Sequence, residues 1–303
     1  MRVLISGLPL FAERLANELQ KYDPNSSYHF FDTYNSKWAQ LRFYLYLAFS
    51  DVVISMNGVS DNSGSLNLVL KRRKKLILQW MGTDVLLALE RSKNGTIDRK
   101  YIDYAVNFTD SLLLQEELRS INVPVELLNF KSIKTQTLTQ SFSRISVISY
   151  VPEARQTFYG MKKIIAVAKQ FPLIDFHLYG LKTSDFPIPS NIQLHGWVES
   201  EKFSAELKKN PIFLRLTDHD GFSVSVIEAL SYGCEVIATI PFELCHFAKD
   251  EAAIIEQTSL VINKLEQRNL ARNNDSIEAM NKKFNPSVIF PNYSQKLKEI
   301  AGK

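Results

Sequence analysis

The feature that most constrains this sequence is an alternation of short apolar segments with amphipathic ones, which runs through the chain twice. The apolar segments have the length of buried strands, and the segments between them carry apolar side chains at helical spacing. Such an alternation predicts parallel sheets with helices on both faces. The predicted strands are 3–6, 28–31, 52–56, 76–80, 104–108, 125–128, 145–151, 176–179, 192–194, 212–216 and 236–238.

The alternation is interrupted between 131 and 144 by a polar stretch rich in Thr, Ser and Gln, which is typical of a linker. A chain of 303 residues is long enough for two domains. We therefore predict an α/β protein with two doubly wound domains, at 1–140 and 141–303. The tail from 259 to 303 is predicted to be mainly helical, with breaks at Pro286 and Pro291.

The composition excludes several classes of protein. A net charge of +4 is too small to indicate nucleic-acid binding, and 45% hydrophobic with 22% charged residues is typical of a globular protein. No apolar run reaches the roughly 18 residues of a membrane span. The N-terminus is typical of a strand and not of a signal peptide, and 2 cysteines make no disulfide framework. We therefore expect a cytoplasmic protein.

The segment from Asp220 to Gly233 carries the strongest functional signal. A predicted strand leads into a turn at Asp220 and Gly221, and a predicted helix follows from 224. Amides at a helix N-terminus bind phosphate, and carboxylates bind sugar hydroxyls. Asp220 and Glu228 therefore bracket a place where a nucleotide diphosphate sugar would fit. In the alternative interpretation, Ser225 and Glu228 form a capping box that only closes the helix end.

The same segment resembles the donor-site signature of retaining glycosyltransferases of family 4 (group 1), which reads E-G-F-G-x-x-x-x-E-A-x-x-x-G. Asp220 stands in place of the first Glu and Ser223 in place of the second Gly, whereas Phe222 and Glu228 match. The resemblance implies the GT-B fold, with two Rossmann-like domains facing each other across a cleft. The N-terminal domain would bind the acceptor and the C-terminal domain the donor. The last helix, at 293–300, would cross back to the N-terminal domain.

By this resemblance, Glu228 holds the ribose, and Asp220 holds the donor sugar with the amides of Phe222 and Ser223. Arg155 offsets the charge of the leaving diphosphate. The family has a Lys-Gly pair where this chain has Tyr159 and Gly160, so Lys162 or Lys163 is expected to substitute for the missing lysine. The donor-binding set implied is Gly221, Phe222, Ser223, Val224, Tyr179, Gly180, Trp197 and Lys162.

A weaker set of candidates lies on the acceptor side. The segment Trp80-Met81-Gly82-Thr83-Asp84 resembles the family segment Trp-His-Gly-Thr-Asp, with Met81 in place of His. Gly82, Thr83 and Asp84 are therefore expected near the acceptor, together with Gly7 at the end of the first strand. The alternative is that Thr83 or Asp84 only caps the helix that follows.

The resemblance implies a hexosyltransferase that transfers a sugar with retention to a saccharide or a lipid-linked acceptor, as in polysaccharide or glycan biosynthesis. No cofactor and no metal would be required. Asp218-x-Asp220 is open to a second interpretation as a Mg²⁺ or Mn²⁺ site. The alternative functions are a degenerate partner subunit that binds donor and a sugar-nucleotide epimerase of the same fold.

Two further segments suggest a peripheral membrane contact at the inner membrane face. Residues 38–49 are apolar and aromatic nearly all round, and 71–75 is a run of Lys and Arg. Basic clusters next to aromatic side chains favour anionic lipid. The alternative is a core helix at 38–49 and a solvated face at 71–75.

Overall fold

The computed structural model describes residues 1–303, which divide into two compact units. Unit 1 consists of Met1–Ser132 with Pro286–Lys303, and unit 2 consists of Ile133–Asn285. Each unit contains one six-stranded sheet, and every strand pair in both sheets is parallel. The predicted α/β fold with two parallel sheets is therefore confirmed.

The sheet of unit 1 has the strand order β2-β1-β3-β4-β5-β6. Its strands are β1 Arg2–Gly7, β2 Ser27–Phe30, β3 Val52–Met56, β4 Lys75–Trp80, β5 Val106–Thr109 and β6 Val125–Leu127. Its helices are α1 Pro9–Tyr22, α2 Lys37–Leu47, α3 Gly64–Lys71, α4 Thr83–Lys93, α5 Lys100–Tyr104, α6 Leu112–Ser120 and α12 Pro286–Ala301.

The sheet of unit 2 has the strand order β12-β11-β10-β7-β8-β9. Its strands are β7 Ser146–Tyr150, β8 Asp175–Tyr179, β9 Ile192–Leu194, β10 Ile212–Arg215, β11 Glu235–Ala238 and β12 His246–Phe247. Its helices are α7 Met161–Gln170, α8 Ser200–Leu207, α9 Val224–Ser231, α10 Glu251–Gln267 and α11 Asn274–Lys283, and a 3-10 turn covers Glu153–Arg155.

Both faces of the unit 1 sheet are buried. Alternate residues of each strand point to opposite faces, so one strand contributes side chains to two separate clusters. In β1, Leu4 contributes to one buried cluster, whereas Val3 and Ile5 contribute to another. Helices α1 and α12 pack on this second face, and their side chains in the second cluster include Leu15 and Tyr293. A central parallel strand is buried on both faces, and its sequence must therefore be apolar throughout.

The C-terminal helix differs from its prediction. The predicted break at Pro286 is present, since α11 ends at Lys283 and α12 begins at Pro286, but α12 continues through Pro291 without a break. Pro286 occupies the first helical position, where the missing N–H has no intrahelical partner in any case. Pro291 removes one backbone hydrogen bond, but Phe290 and Tyr293 on either side are buried in the core of unit 1. Their packing outweighs the loss of that bond.

Helix α10 also begins earlier than the predicted helical tail, at Glu251. Asp250 caps it by accepting a hydrogen bond from the amide of Ala253 at 2.9 Å. Tyr104, predicted as the start of a strand, is the last residue of α5. None of the helices is long and apolar enough to cross a bilayer.

Candidate donor site and a second polar cavity

The strand order of unit 2 reverses between β7 and β10, which are neighbours in the sheet. From β7 the sheet continues to β8 and β9, and from β10 it continues to β11 and β12 on the other side. In open parallel sheets, ligands bind at such a switch point, outside the carboxyl ends of the strands. The loops after β7 and β10 therefore form the two walls of a candidate site, and they contain Arg155, Asp220 and the start of α9.

These two walls are fixed to each other by the backbone. The amide of Asp218 donates to the carbonyl of Phe158 at 2.9 Å. Gly160 has a φ of +73°, and a Cβ at this position would lie 2.2 Å from the carbonyl oxygen of Leu216. Only glycine at position 160 allows the backbones of the two loops to approach so closely. Lys163 adds an ion pair with Asp218 at 3.3 Å.

Helix α9 begins where the predicted phosphate site requires a helix N-terminus. Ser223 is the N-cap residue, with its Oγ 2.9 Å from the Oγ of Ser225. In a capping box the Glu stands three positions after the N-cap, and that position is occupied by Val226. The alternative interpretation of Glu228 as a capping residue is therefore wrong. Glu228 lies within α9, after the first turn. The N-terminus of this helix favours an anion.

Asp220 forms a partly buried ion pair that was not predicted from the sequence. Arg215, the last residue of β10, donates from Nε to Oδ2 of Asp220 at 2.8 Å and from Nη2 to the same oxygen at 2.5 Å. Burial opposes the charge on Arg215, but Asp220 and Tyr159 outweigh it and raise the pKa of the guanidinium. The signal was present in the sequence, because a charged residue rarely ends an apolar strand without a partner.

The three predicted cations of this site have different surroundings. Arg155 is exposed, and its guanidinium carbon lies 4.0 Å from the centre of the Phe158 ring. Lys162 lies over the ring of Phe186 at 5.2 Å, whereas Lys163 pairs with Asp218. Arg155 and Lys162 are therefore both exposed next to an aromatic ring, whereas Lys163 is held in an ion pair.

Three further residues of the predicted donor-binding set lie at the ends of β8 and β9: Tyr179 is the last residue of β8, and Gly180 and Trp197 lie in the loops after β8 and β9. Tyr179 is buried and stacks on His195 at 4.6 Å, and burial, with Glu206 close by, raises the pKa of its phenol to about 12. The amide of Gly180 donates to the carbonyl of Gly196 at 2.8 Å. Trp197 follows directly and is 64% exposed. The exposed aromatic surface in these loops is thus that of Trp197, while Tyr179 is packed within unit 2.

Unit 1 has its own switch point, between β1 and β3, and a polar cavity of about 510 Å³ lies there. Gly7 lines it, together with the loop after β3 and the start of α3, from Asn57 to Ser65. Across the cavity, Arg91 pairs with Asp61 at 2.7 Å and donates to Ser60 at 2.7 Å. This loop was not predicted as functional from the sequence, although its Ser, Asn and Gly content is typical of a functional loop.

Asp84 fixes the backbone of one wall of this cavity through hydrogen bonds. Its buried carboxylate accepts hydrogen bonds from the amides of Gly58, Met81, Gly82 and Val85. It therefore joins the loop after β3 to the start of α4. The N-cap residue of α4 is Gly82, so neither Thr83 nor Asp84 is the capping residue of the alternative interpretation. Gly7 and Asp84 line the cavity, whereas Gly82 and Thr83 are not among its lining residues.

The Asp218-x-Asp220 pattern does not form a cluster of metal ligands. Asp218 pairs with Lys163 and Asp220 with Arg215. The chain has no group of three or more His, Cys, Asp or Glu side chains that could hold a metal ion. The interpretation of this pattern as a metal site therefore has no geometric support.

No family model and no curated protein matches the sequence of this chain, but solved structures match its fold. Sucrose-phosphate synthase from Thermosynechococcus elongatus matches with a TM-score of 0.73 and 12% identity, over 100% of this chain and 99% of its own. Anabaena HepE in complex with UDP matches with a TM-score of 0.66 and 10% identity, over 98% of this chain and 99% of its own.

A third match is the pneumococcal O-GlcNAc transferase GtfA in complex with UDP and GlcNAc, with a TM-score of 0.58 and 16% identity. It covers 83% of this chain, which spans only 57% of the length of GtfA. The two parallel sheets and these matches define the class: the chain has the GT-B glycosyltransferase fold. This part of the sequence-based prediction is confirmed.

Proposed function

We propose that this chain is a retaining glycosyltransferase of family 4 that transfers a hexosyl group from a nucleotide diphosphate sugar. The observation that carries the proposal is the switch point of unit 2, where the N-terminus of α9 lies between loops that bear Asp220 and Arg155. HepE and GtfA were solved with UDP. A UDP-sugar is therefore the first donor to test.

In this proposal each group has one role. The N-terminus of α9 holds the diphosphate, since its amides and helix charge favour an anion. Glu228 accepts the ribose hydroxyls, and Asp220 accepts a hydroxyl of the donor sugar. Arg155 stabilises the charge that develops on the leaving diphosphate, where preorganised electrostatics contribute most to rate. Trp197 offers an exposed ring to the base.

The cavity of unit 1 is the proposed acceptor site. Its lining combines carboxylate, amide and hydroxyl groups with the rings of Tyr34 and Tyr44. Such a lining suits a saccharide, which presents hydroxyls at its edges and C–H groups on its faces. The acceptor would then be a growing saccharide or a lipid-linked one, as in polysaccharide or glycan biosynthesis.

Changing Glu228 to Gln is expected to weaken UDP binding about 10-fold, because a charged hydrogen bond to ribose is replaced by a neutral one. Isothermal titration of the parent and of Glu228→Gln with UDP measures this. Glu266→Gln, at an exposed position of α10, is the matched control. Equal UDP affinity in both variants would contradict the proposed role of Glu228. UDP binding by a parent that neither transfers nor hydrolyses any UDP-sugar would favour a degenerate partner subunit.

Removal of divalent cations with EDTA is expected to leave UDP binding unchanged, because helix amides and Arg155 supply the positive charge in this proposal. Titration of UDP with and without EDTA, and again after addition of Mn²⁺, measures it. Loss of binding with EDTA and its return with Mn²⁺ would contradict a metal-independent site and revive the pair Asp218 and Asp220 as ligands.

The surface of α2 supports a peripheral membrane contact. Only Phe43 and Leu47 of this helix are buried, so it is not the core helix of the alternative interpretation. Trp38 is 76% exposed, and Phe49, just beyond the helix, is 69% exposed. Lys74 donates to the carbonyls of Ala48 and Ser50 at 2.9 and 2.8 Å, which joins the basic run 71–75 to the end of α2. Exposed aromatic and basic side chains thus lie together, as anionic lipid surfaces favour.

Reversing the charge of Lys71, Arg72 and Arg73 to Glu is expected to release the protein from phosphatidylserine vesicles. Each basic residue near such a surface contributes about 1 kcal/mol, so three reversals remove most of the attraction. Vesicle co-sedimentation at low salt measures the bound fraction. The control reverses Lys169, Lys202 and Arg268, three exposed positions of unit 2. Equal binding of both variants, or no binding by the parent, would contradict the membrane contact.

A further inference from the structure

The guanidinium of Arg215 stands between the two walls of the unit 2 crevice. Its residue is 8% exposed and ends β10 after three apolar residues. On one wall, Nε and Nη2 both donate to Oδ2 of Asp220. Because both donors use the same oxygen, Oδ1 of Asp220 stays available for another partner.

On the other wall, the same guanidinium faces Tyr159. The guanidinium carbon lies 4.9 Å from the centre of the Tyr159 ring, and this ring belongs to the loop after β7. The next residue is Gly160, whose backbone packs against the carbonyl of Leu216. Tyr159 and Arg215 are therefore held together by the backbone as well as by their side chains.

This arrangement explains which residue types fit at position 159. A lysine there would bring a second positive charge next to a buried guanidinium that has one carboxylate partner. Like charges in a poorly hydrated place repel strongly, whereas an aromatic ring face attracts a cation. A tyrosine at 159 is thus compatible with an arginine at 215, whereas a lysine is not. The positive charge next to Asp220 is supplied by the end of strand β10 and not by the loop after β7.

We propose that Arg215 is a positioning residue of the donor site, which fixes Asp220 on one wall and Tyr159 on the other and leaves Oδ1 of Asp220 aimed at the donor sugar. The inference rests on the proposed function, since it deepens the role assigned to Asp220. Arg215 does not itself contact the donor. A lysine at 215 keeps the charge but cannot donate two parallel hydrogen bonds as a guanidinium does.

The first test is kinetic and uses UDP-glucose and UDP as probes. Arg215→Lys is expected to lower the turnover number for UDP-glucose hydrolysis about 10-fold or more, since small displacements of a positioning group are costly, and to leave UDP affinity within about twofold. Arg268→Lys, exposed on the surface of unit 2, is the control. A turnover number equal to that of the parent overturns the proposal. So does an equal loss of UDP and UDP-glucose affinity, which a merely structural role would give.

The second test needs no ligand and relocates the charge. Tyr159→Lys is expected to lower the melting temperature of the parent, because its ammonium meets Arg215. In an Arg215→Gln background the same change is expected to raise the melting temperature, because the new lysine replaces the lost partner of Asp220. The two substitutions are then strongly non-additive, as expected for groups in contact. Additive effects overturn the proposal.

The two tests separate the failure of this proposal from that of the proposed function. If the parent binds neither UDP nor UDP-glucose, the donor assignment fails, while the melting-temperature cycle still decides whether Arg215 joins position 159 to Asp220. If the parent binds and hydrolyses UDP-glucose but Arg215→Lys does so equally well, the function stands and the positioning role is wrong.

Discussion

Replacing Arg155 by methionine is expected to lower the turnover number for UDP-sugar hydrolysis or transfer by about 100-fold, the usual effect of losing one preorganised group at a developing charge. The guanidinium lies in the loop that ends at Gly160 and stacks on Phe158 with its other side in solvent. Methionine keeps the apolar contact with Phe158 and removes the charge and the donors. Release of UDP, followed by a coupled assay, measures the effect.

Arg268→Met is the matched control for Arg155→Met, because Arg268 is exposed in the same unit but follows α10. Its turnover number is expected to equal that of the parent. If Arg155→Met lowers UDP affinity and leaves the turnover number intact, Arg155 binds donor in the ground state and does not stabilise the leaving group. If neither quantity changes, Arg155 is a solvated loop residue and its assignment to the site is wrong.

Replacing Gly160 by alanine is expected to lower the free energy of unfolding by about 3 kcal/mol or more, from the sum of backbone strain and overpacking. Its φ of +73° is unfavourable for any side chain, and the new Cβ would lie 2.2 Å from the carbonyl oxygen of Leu216. Urea unfolding followed by circular dichroism measures the loss. Because the strain separates the two walls of the crevice, UDP affinity is expected to fall as well.

The chain offers a control that isolates the contact from the backbone strain. Gly95 has nearly the same φ, +67°, but a Cβ there would meet nothing within 4 Å. Gly95→Ala is therefore expected to cost only about 1 kcal/mol, the strain alone. If Gly160→Ala is no more destabilising than Gly95→Ala, the close approach of the two loops is not needed for stability.

Every strand except β12 was predicted from the sequence because the sheets are parallel and buried. A strand covered on both faces must be apolar throughout, and the helices that cover it must have one apolar side. The same logic failed at the last helix. Pro291 is a strong local signal against a helix, but Phe290 and Tyr293 are buried by contacts with residues far away in the sequence. Rules based on neighbouring residues cannot include the stabilisation that this burial provides.

The candidate site was predicted in part, for a similar reason. Asp220 and Glu228 could be proposed from the sequence because both lie in one short segment that covers a turn and helix α9. The pairing of Asp220 with Arg215 depends on the geometry of the strand end, and the contact with Tyr159 depends on which strands are neighbours in the sheet. The cavity of unit 1 likewise arises from strand order, which the alternation of elements does not specify.

The discontinuity of unit 1 has a consequence for how the chain acquires its structure during synthesis. Unit 2 is one continuous segment, Ile133–Asn285, whereas unit 1 is completed by α12, which follows unit 2 in the sequence. Until α12 has left the ribosome, the side of the unit 1 sheet that receives Phe290, Tyr293 and Leu297 lacks part of its cover. Of the two units, unit 1 is thus begun before unit 2 but completed after it, and its apolar surface stays exposed to aggregation or to chaperones while unit 2 folds.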